Sequence, residues 1–236
     1  MNRRVRLTLK TVAKLVVAFI FVPLCLNAQD KEMSTLFGDD GTLRLGGYGA
    51  FEIRGSQLDG SFGGLLLGGR GGVIINNVFS FGGAGYGLMP TKKIDCPIPG
   101  HEFERNTFWT GGYGGLFFEY INSSNNLLHF TVNALIGGGG VTFNNHSIDE
   151  RFLSHPVSAI FVVEPGVTAE LNVFKTFRMS LGLSYRYAPN FELKYTDSNG
   201  MKQDIVPNTA FNGISLNLAF IFGNFSGIEI DKDNNK

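Results

Sequence analysis

From residue 177 to residue 187, apolar and polar positions alternate without a fault. Phe177, Met179, Leu181, Leu183, Tyr185 and Tyr187 interleave with Arg178, Ser180, Gly182, Ser184 and Arg186. Successive side chains of a strand point to opposite faces, so a period of two predicts a strand with one apolar and one polar face. The same period recurs in eight segments, at about 42–54, 64–76, 78–89, 109–121, 127–141, 158–172, 177–189 and 211–223. No segment repeats apolar residues at 3.6 spacing for three turns, which excludes a helical domain.

The connections alternate in length. Residues 55–63, 90–108, 144–157 and 190–210 form long links. Asn76-Asn77, residues 122–126 and residues 173–176 form short polar ones. Asn-Asn between two apolar runs is a hairpin signal. The order long, short, long, short, long, short, long is that of an up-and-down barrel with tight turns at one end and loops at the other. An even strand count brings both termini to the same end.

Seven segments allow the faces to be assigned, and their apolar faces carry no Asp, Glu, Lys or Arg. The opposite faces carry Arg44, Arg54, Arg70, Arg178 and Arg186 together with Glu52, Glu119, Glu164 and Glu170, and His129 lies there among Thr131 and Asn133. The third segment, VFSFGGAGYGLM, is too rich in glycine to assign. If the apolar face pointed inward, as in a soluble ligand-binding barrel, the outside would be short of the lysines that solubilise such surfaces. Arg and Glu in near balance fit better as ion pairs inside a lumen. A charge facing lipid at mid-membrane costs about 2–4 kcal/mol, and none faces that way here. Eight strands leave an interior just wide enough to be filled by side chains. The expected fold is therefore all-β: an eight-stranded antiparallel transmembrane barrel over 42–225 with a polar, filled interior. Trp109, Tyr113, Tyr120, Tyr185, Tyr187, Phe220 and Phe222 lie toward segment ends, where interfacial girdles form.

The N-terminus changes the charge picture. Arg3, Arg4, Arg6, Lys10 and Lys14 precede the apolar run LVVAFIFVPLCL and then NAQD, which reads as a secretory signal peptide over 1–28. Residues 29–41 then form a periplasmic lead. Removing the leader leaves 15 basic against 20 acidic residues, a net of −5, which is no footprint for nucleic acid. Cys96 is the one cysteine left, so no internal disulfide forms.

Chemistry-bearing residues are few. Cys96 and His101 stand in one long connection with Glu102 and Glu104, but a C-x4-H spacing matches no strong zinc pattern, and no metal is expected. GGRGGV and GGGG lack the following helix and Lys-Ser/Thr of a phosphate loop. No cofactor is expected either.

By strand count, loop order and polar interior, the chain over about 40–225 resembles the eight-stranded outer-membrane barrels of the OmpA transmembrane-domain type. GGRGGVIINNVFSFGGAGYGL, GGYGGLFFEYI and VEPGVTAELNVFKTFRMSLGLSYRY are also similar to an uncharacterised family of Bacteroidota barrels. The resemblance implies a Gram-negative outer membrane, with its lipids and the barrel-assembly machinery as partners, and brings no known activity. Such barrels end on an aromatic residue, whereas here Phe222 and Phe225 are followed by a polar tail over 226–236. The expected role is a non-catalytic envelope scaffold or surface-contact protein presenting four external loops to an unidentified ligand. One alternative is a lipid-modifying hydrolase using His146, Ser147 and His155 in the third long connection, near Asp149 and Glu150. Another is a narrow small-solute channel.

Overall fold

The computed structural model describes residues 43–93, 107–145, 157–189, 191–192, 194–196, 202–204 and 206–230. The signal peptide, the lead, Cys96, His101, His146, Ser147, His155 and the last six residues lie outside the described residues. Among the described residues ten strands follow one another: β1 (Leu43–Leu58), β2 (Ser61–Ile75), β3 (Phe79–Met89), β4 (Thr107–Asn122), β5 (Leu128–Asn145), β6 (Ser158–Phe174), β7 (Phe177–Arg186), β8 (Lys194–Thr196), β9 (Lys202–Asp204) and β10 (Gly213–Ile230). Eight of them close a barrel in the order β1-β10-β7-β6-β5-β4-β3-β2, and β8 and β9 pair as a separate hairpin. Every barrel pairing is antiparallel.

Two boundaries differ from the sequence reading. The first connection is no loop: β1 and β2 run on to a two-residue turn, Asp59-Gly60, with φ of 51° and 73°. Left-handed conformations at both positions give the turn whose twist matches a hairpin. Three long connections, not four, therefore stand at this end. The last strand also continues past 225, because Leu43 to Leu45 pair with Ile230 to Ile228. At the opposite end, Asn76 and Asn77 take φ of 49° and 58°, and the Val78 amide donates to Ile75. The β6–β7 ladder runs from Phe174 to Gly166 and resumes at a bridge between Val163 and Tyr187. Pro165, which has no N–H to donate, stands in the gap.

The apolar faces point out. Leu181, Leu183 and Leu216 are half exposed on the outer wall, whereas Arg178, Ser180 and Ser215 are buried in the lumen. The glycine-rich β3 turns Ser80, Tyr86 and Leu88 inward and Phe81 outward. The lumen is layered rather than uniformly polar. Toward the long connections, Leu58, Leu66, Leu88, Trp109, Tyr113, Phe117, Val141, Val162, Phe191 and Phe211 form an apolar plug. At the short-turn end, Ile74, Ile121, Ala219, Ile221 and Phe225 form a second one. Trp109 and Tyr113 are thus core residues and no part of an outer girdle; Tyr120, Tyr185, Tyr187 and Phe222 are exposed.

Candidate functional site

The charged layer lies between the two plugs. Among the described barrel strands, ten side chains carry a formal charge, and eight of them are buried: Glu52, Arg54, Arg70, Glu119, Glu164, Glu170, Arg178 and Arg186. The period of two dictates this, since each stands on the face opposite its strand's apolar residues. The other two, Arg44 and Glu229, pair at 2.6 Å on the rim, where both are more than half exposed. Arg44 has the inward parity, but it precedes the bulge at Gly46 and sits at the strand's end, beyond the enclosed lumen. It is no member of the buried network.

Arg54 is the hub of the upper half. Its Nη1 donates to Glu164 Oε1 at 2.6 Å, its Nε to Glu52 Oε2 at 2.9 Å and its Nη2 to the Tyr86 hydroxyl at 2.5 Å. Glu164 also accepts from Tyr113 and Ser184, each at 2.6 Å, and Ser184 accepts from Asn217 at 3.0 Å. Arg70 links the halves, pairing with Glu52 through Nη1 and with Glu170 at 3.5 Å and Glu119 at 3.7 Å through Nη2. In the lower half, Glu170 Oε2 lies 3.2 Å from His129 Nε2 and 3.4 Å from Arg178 Nη1. The other His129 nitrogen faces the Asn126 carbonyl, and the Arg178 guanidinium stacks on Phe225 at 3.8 Å. Glu119 accepts from Tyr48 at 3.4 Å.

Tyr48, Tyr86, Tyr113, Ser184 and Asn217 complete the network and were not among the charged residues that mark it in the sequence. A signal for the tyrosines does exist. Each stands opposite a glycine on a neighbouring strand: Tyr48 opposite Gly223, Tyr86 opposite Gly68 and Tyr113 opposite Gly139. A Cβ added at Gly68 or Gly139 would meet the facing tyrosine within 2.8 Å, so glycine is what lets each ring lie along the wall.

The arrangement joins guanidinium, carboxylate, phenol and hydroxyl groups in one hydrogen-bonded lattice. Both ring nitrogens of His129 are occupied by carbonyl, carboxylate or guanidinium groups, and none of these partners is a hydroxyl or thiol that it could activate. Among the described residues, no group of three or more His, Cys, Asp or Glu side chains could hold a metal ion.

No family model matches the chain. No curated protein matches it either, so the likeness to a Bacteroidota family gains no support. Solved structures similar to it are outer-membrane β-barrels. Neisserial surface protein A matches with a TM-score of 0.48 at 10% identity, over 76% of this chain and 96% of that one. The N-terminal β-barrel domain of Pseudomonas aeruginosa OprF gives 0.46 at 11%, over 75% and 96%. A major outer membrane protein from Thermus thermophilus gives 0.37 at 14%, over 75% and 99%.

Proposed function

We propose that this chain is a non-catalytic integral outer-membrane barrel, an envelope scaffold or surface-contact protein that displays its three long connections outside the cell. The observation that carries the reading is the partition of charge. Every charged side chain of the described barrel strands is enclosed in the lumen or paired at the rim, and the wall between is apolar. Barrel strands of 10 to 18 residues meet the roughly 9–11 needed to cross a bilayer. Outer-membrane lipids would cover the wall, and the barrel-assembly machinery would insert it. The two plugs and the ion layer support a sealed lumen over a conducting one.

Expression with the native leader, followed by membrane fractionation and gel electrophoresis with and without boiling, tests the reading. A folded barrel stays compact in detergent until heated, so an outer-membrane band that shifts on boiling is expected. Recovery in the soluble periplasmic fraction, with one mobility in both lanes, would overturn it.

A further inference from the structure

The two plugs are built differently. The described residues of the inner one all stand on strands, whereas the outer one takes Ala188, Phe191, Val206, Ala210 and Phe211 from the last long connection. Residues 206–212 make two successive tight turns, in which the Ala210 amide donates to the Pro207 carbonyl and the Asn212 amide to the Thr209 carbonyl, each at 2.9 Å. Pro207, Asn208 and Thr209 are exposed, while Ala210 and Phe211 are buried. The Phe211 ring lies 5.8 Å from that of Phe191 and meets that of Tyr113 edge-on at 6.0 Å.

Burying this segment encloses its backbone carbonyls, and enclosed carbonyls need donors. The Asp59 amide donates to the Ala210 carbonyl at 2.7 Å. Arg186, fully buried at the end of β7, serves the next carbonyl. Its Nε donates to the Phe211 carbonyl at 2.7 Å and its Nη2 to the Gln57 carbonyl of β1 at 2.9 Å, with the guanidinium 4.1 Å from the Phe211 ring. Arg54, Arg70 and Arg178 donate to carboxylates instead. The lattice as a whole balances the charge of Arg186, but its N–H groups hold the connection. We infer that residues 206–212 form a strap that opens from the mouth of the barrel as one unit, and that Arg186 is the positioning residue that latches it shut. Without the guanidinium fork, the Phe211 and Gln57 carbonyls stand unpaired among apolar side chains, and opening returns them to water. Such a unit opens at a lower free energy than the barrel unfolds. The strap runs straight into β10, so the latch also fixes the root of the connection that carries the β8–β9 hairpin.

The test uses the full barrel in detergent, in a Cys96→Ser background. A single cysteine replaces buried Ala210 or, as a control, buried Ser180 opposite Glu170. Labelling by a water-soluble maleimide is compared with and without Arg186→Lys, which keeps the positive charge but loses the planar fork that bridges two carbonyls. Labelling at Ala210→Cys should quicken about tenfold in Arg186→Lys, the equivalent of one lost hydrogen bond to a charged group, with Ser180→Cys still protected. Unchanged labelling at Ala210→Cys, or an equal rise at Ser180→Cys, would overturn the latch. If Arg186→Lys does not fold, hydrogen exchange of the wild-type chain decides. The Asp59 amide and the Arg186 Nε–H both bond to the strap, so they should show the same protection, lower than that of the β7 amides. Unequal protection of the two, or protection matching β7, would overturn the strap.

Discussion

At the residue scale, parity and height decide what a charged side chain is worth. Glu164 is enclosed and accepts from Arg54, Tyr113 and Ser184. Glu164→Gln leaves an arginine enclosed with half its countercharge gone, and breaking a buried pair from one side costs about 3–5 kcal/mol. Arg44→Ala removes an exposed rim pair and should cost no more than about 1 kcal/mol. Urea unfolding in lipid vesicles measures both, and equal costs would contradict the layered lumen. Parity was legible in the sequence because the apolar positions carry it. Height was not, since alternation says which face a residue takes but not how far along the wall it stands. Arg44 looked like a lumen residue for that reason. Trp109 and Tyr113 share the inward parity of Phe117 and Glu119, and reading them as girdle residues weighed their place near the strand end above that parity.

At the scale of the strand, the inward face turns from polar to apolar toward the long connections, while the outward face stays apolar. Leu58, Leu66, Leu88, Trp109, Val141 and Val162 point inward there, where the middle of the barrel places Arg and Glu. A reading in which polar always means inward therefore loses phase near strand ends. This is why residues 55–63 read as a loop, although Asp59-Gly60 is itself a hairpin signal. The terminal stretch was missed on similar grounds, because Ser226, Gly227 and Glu229 carry no apolar alternation. Glu229 is nonetheless paired to Arg44 of β1, flanked by Ile228 on Leu45 and Ile230 on Leu43, while Ser226 and Gly227 fall in the register shift. Glycine is the other determinant at this scale. Gly139→Val would drive a branched side chain into Gly112 and Tyr113 of β4. Overpacking of this kind costs about 1–3 kcal/mol, and the same urea titration should show it as a lower midpoint with an unchanged slope.

For the whole molecule, three concentric facts follow from one alternation: an apolar wall, an enclosed lattice of four Glu and four Arg, and plugs that close it at both ends. The wall and the lattice were legible from period and charge alone. The plugs were not, because they are assembled by residues from many strands and from the segment carrying Phe191 and Phe211, whose convergence only the closed barrel creates. Everything above rests on which face of the wall meets lipid. The most direct measurement places single cysteines along β7 in a Cys96→Ser background, labels them with a small fluorophore and quenches from within the bilayer using nitroxide lipids. Labels at Met179, Leu181 and Leu183 should be quenched, and those at Ser180 and Ser184 should not. Quenching at the serines with protected leucines, or no alternation at all, would contradict the account.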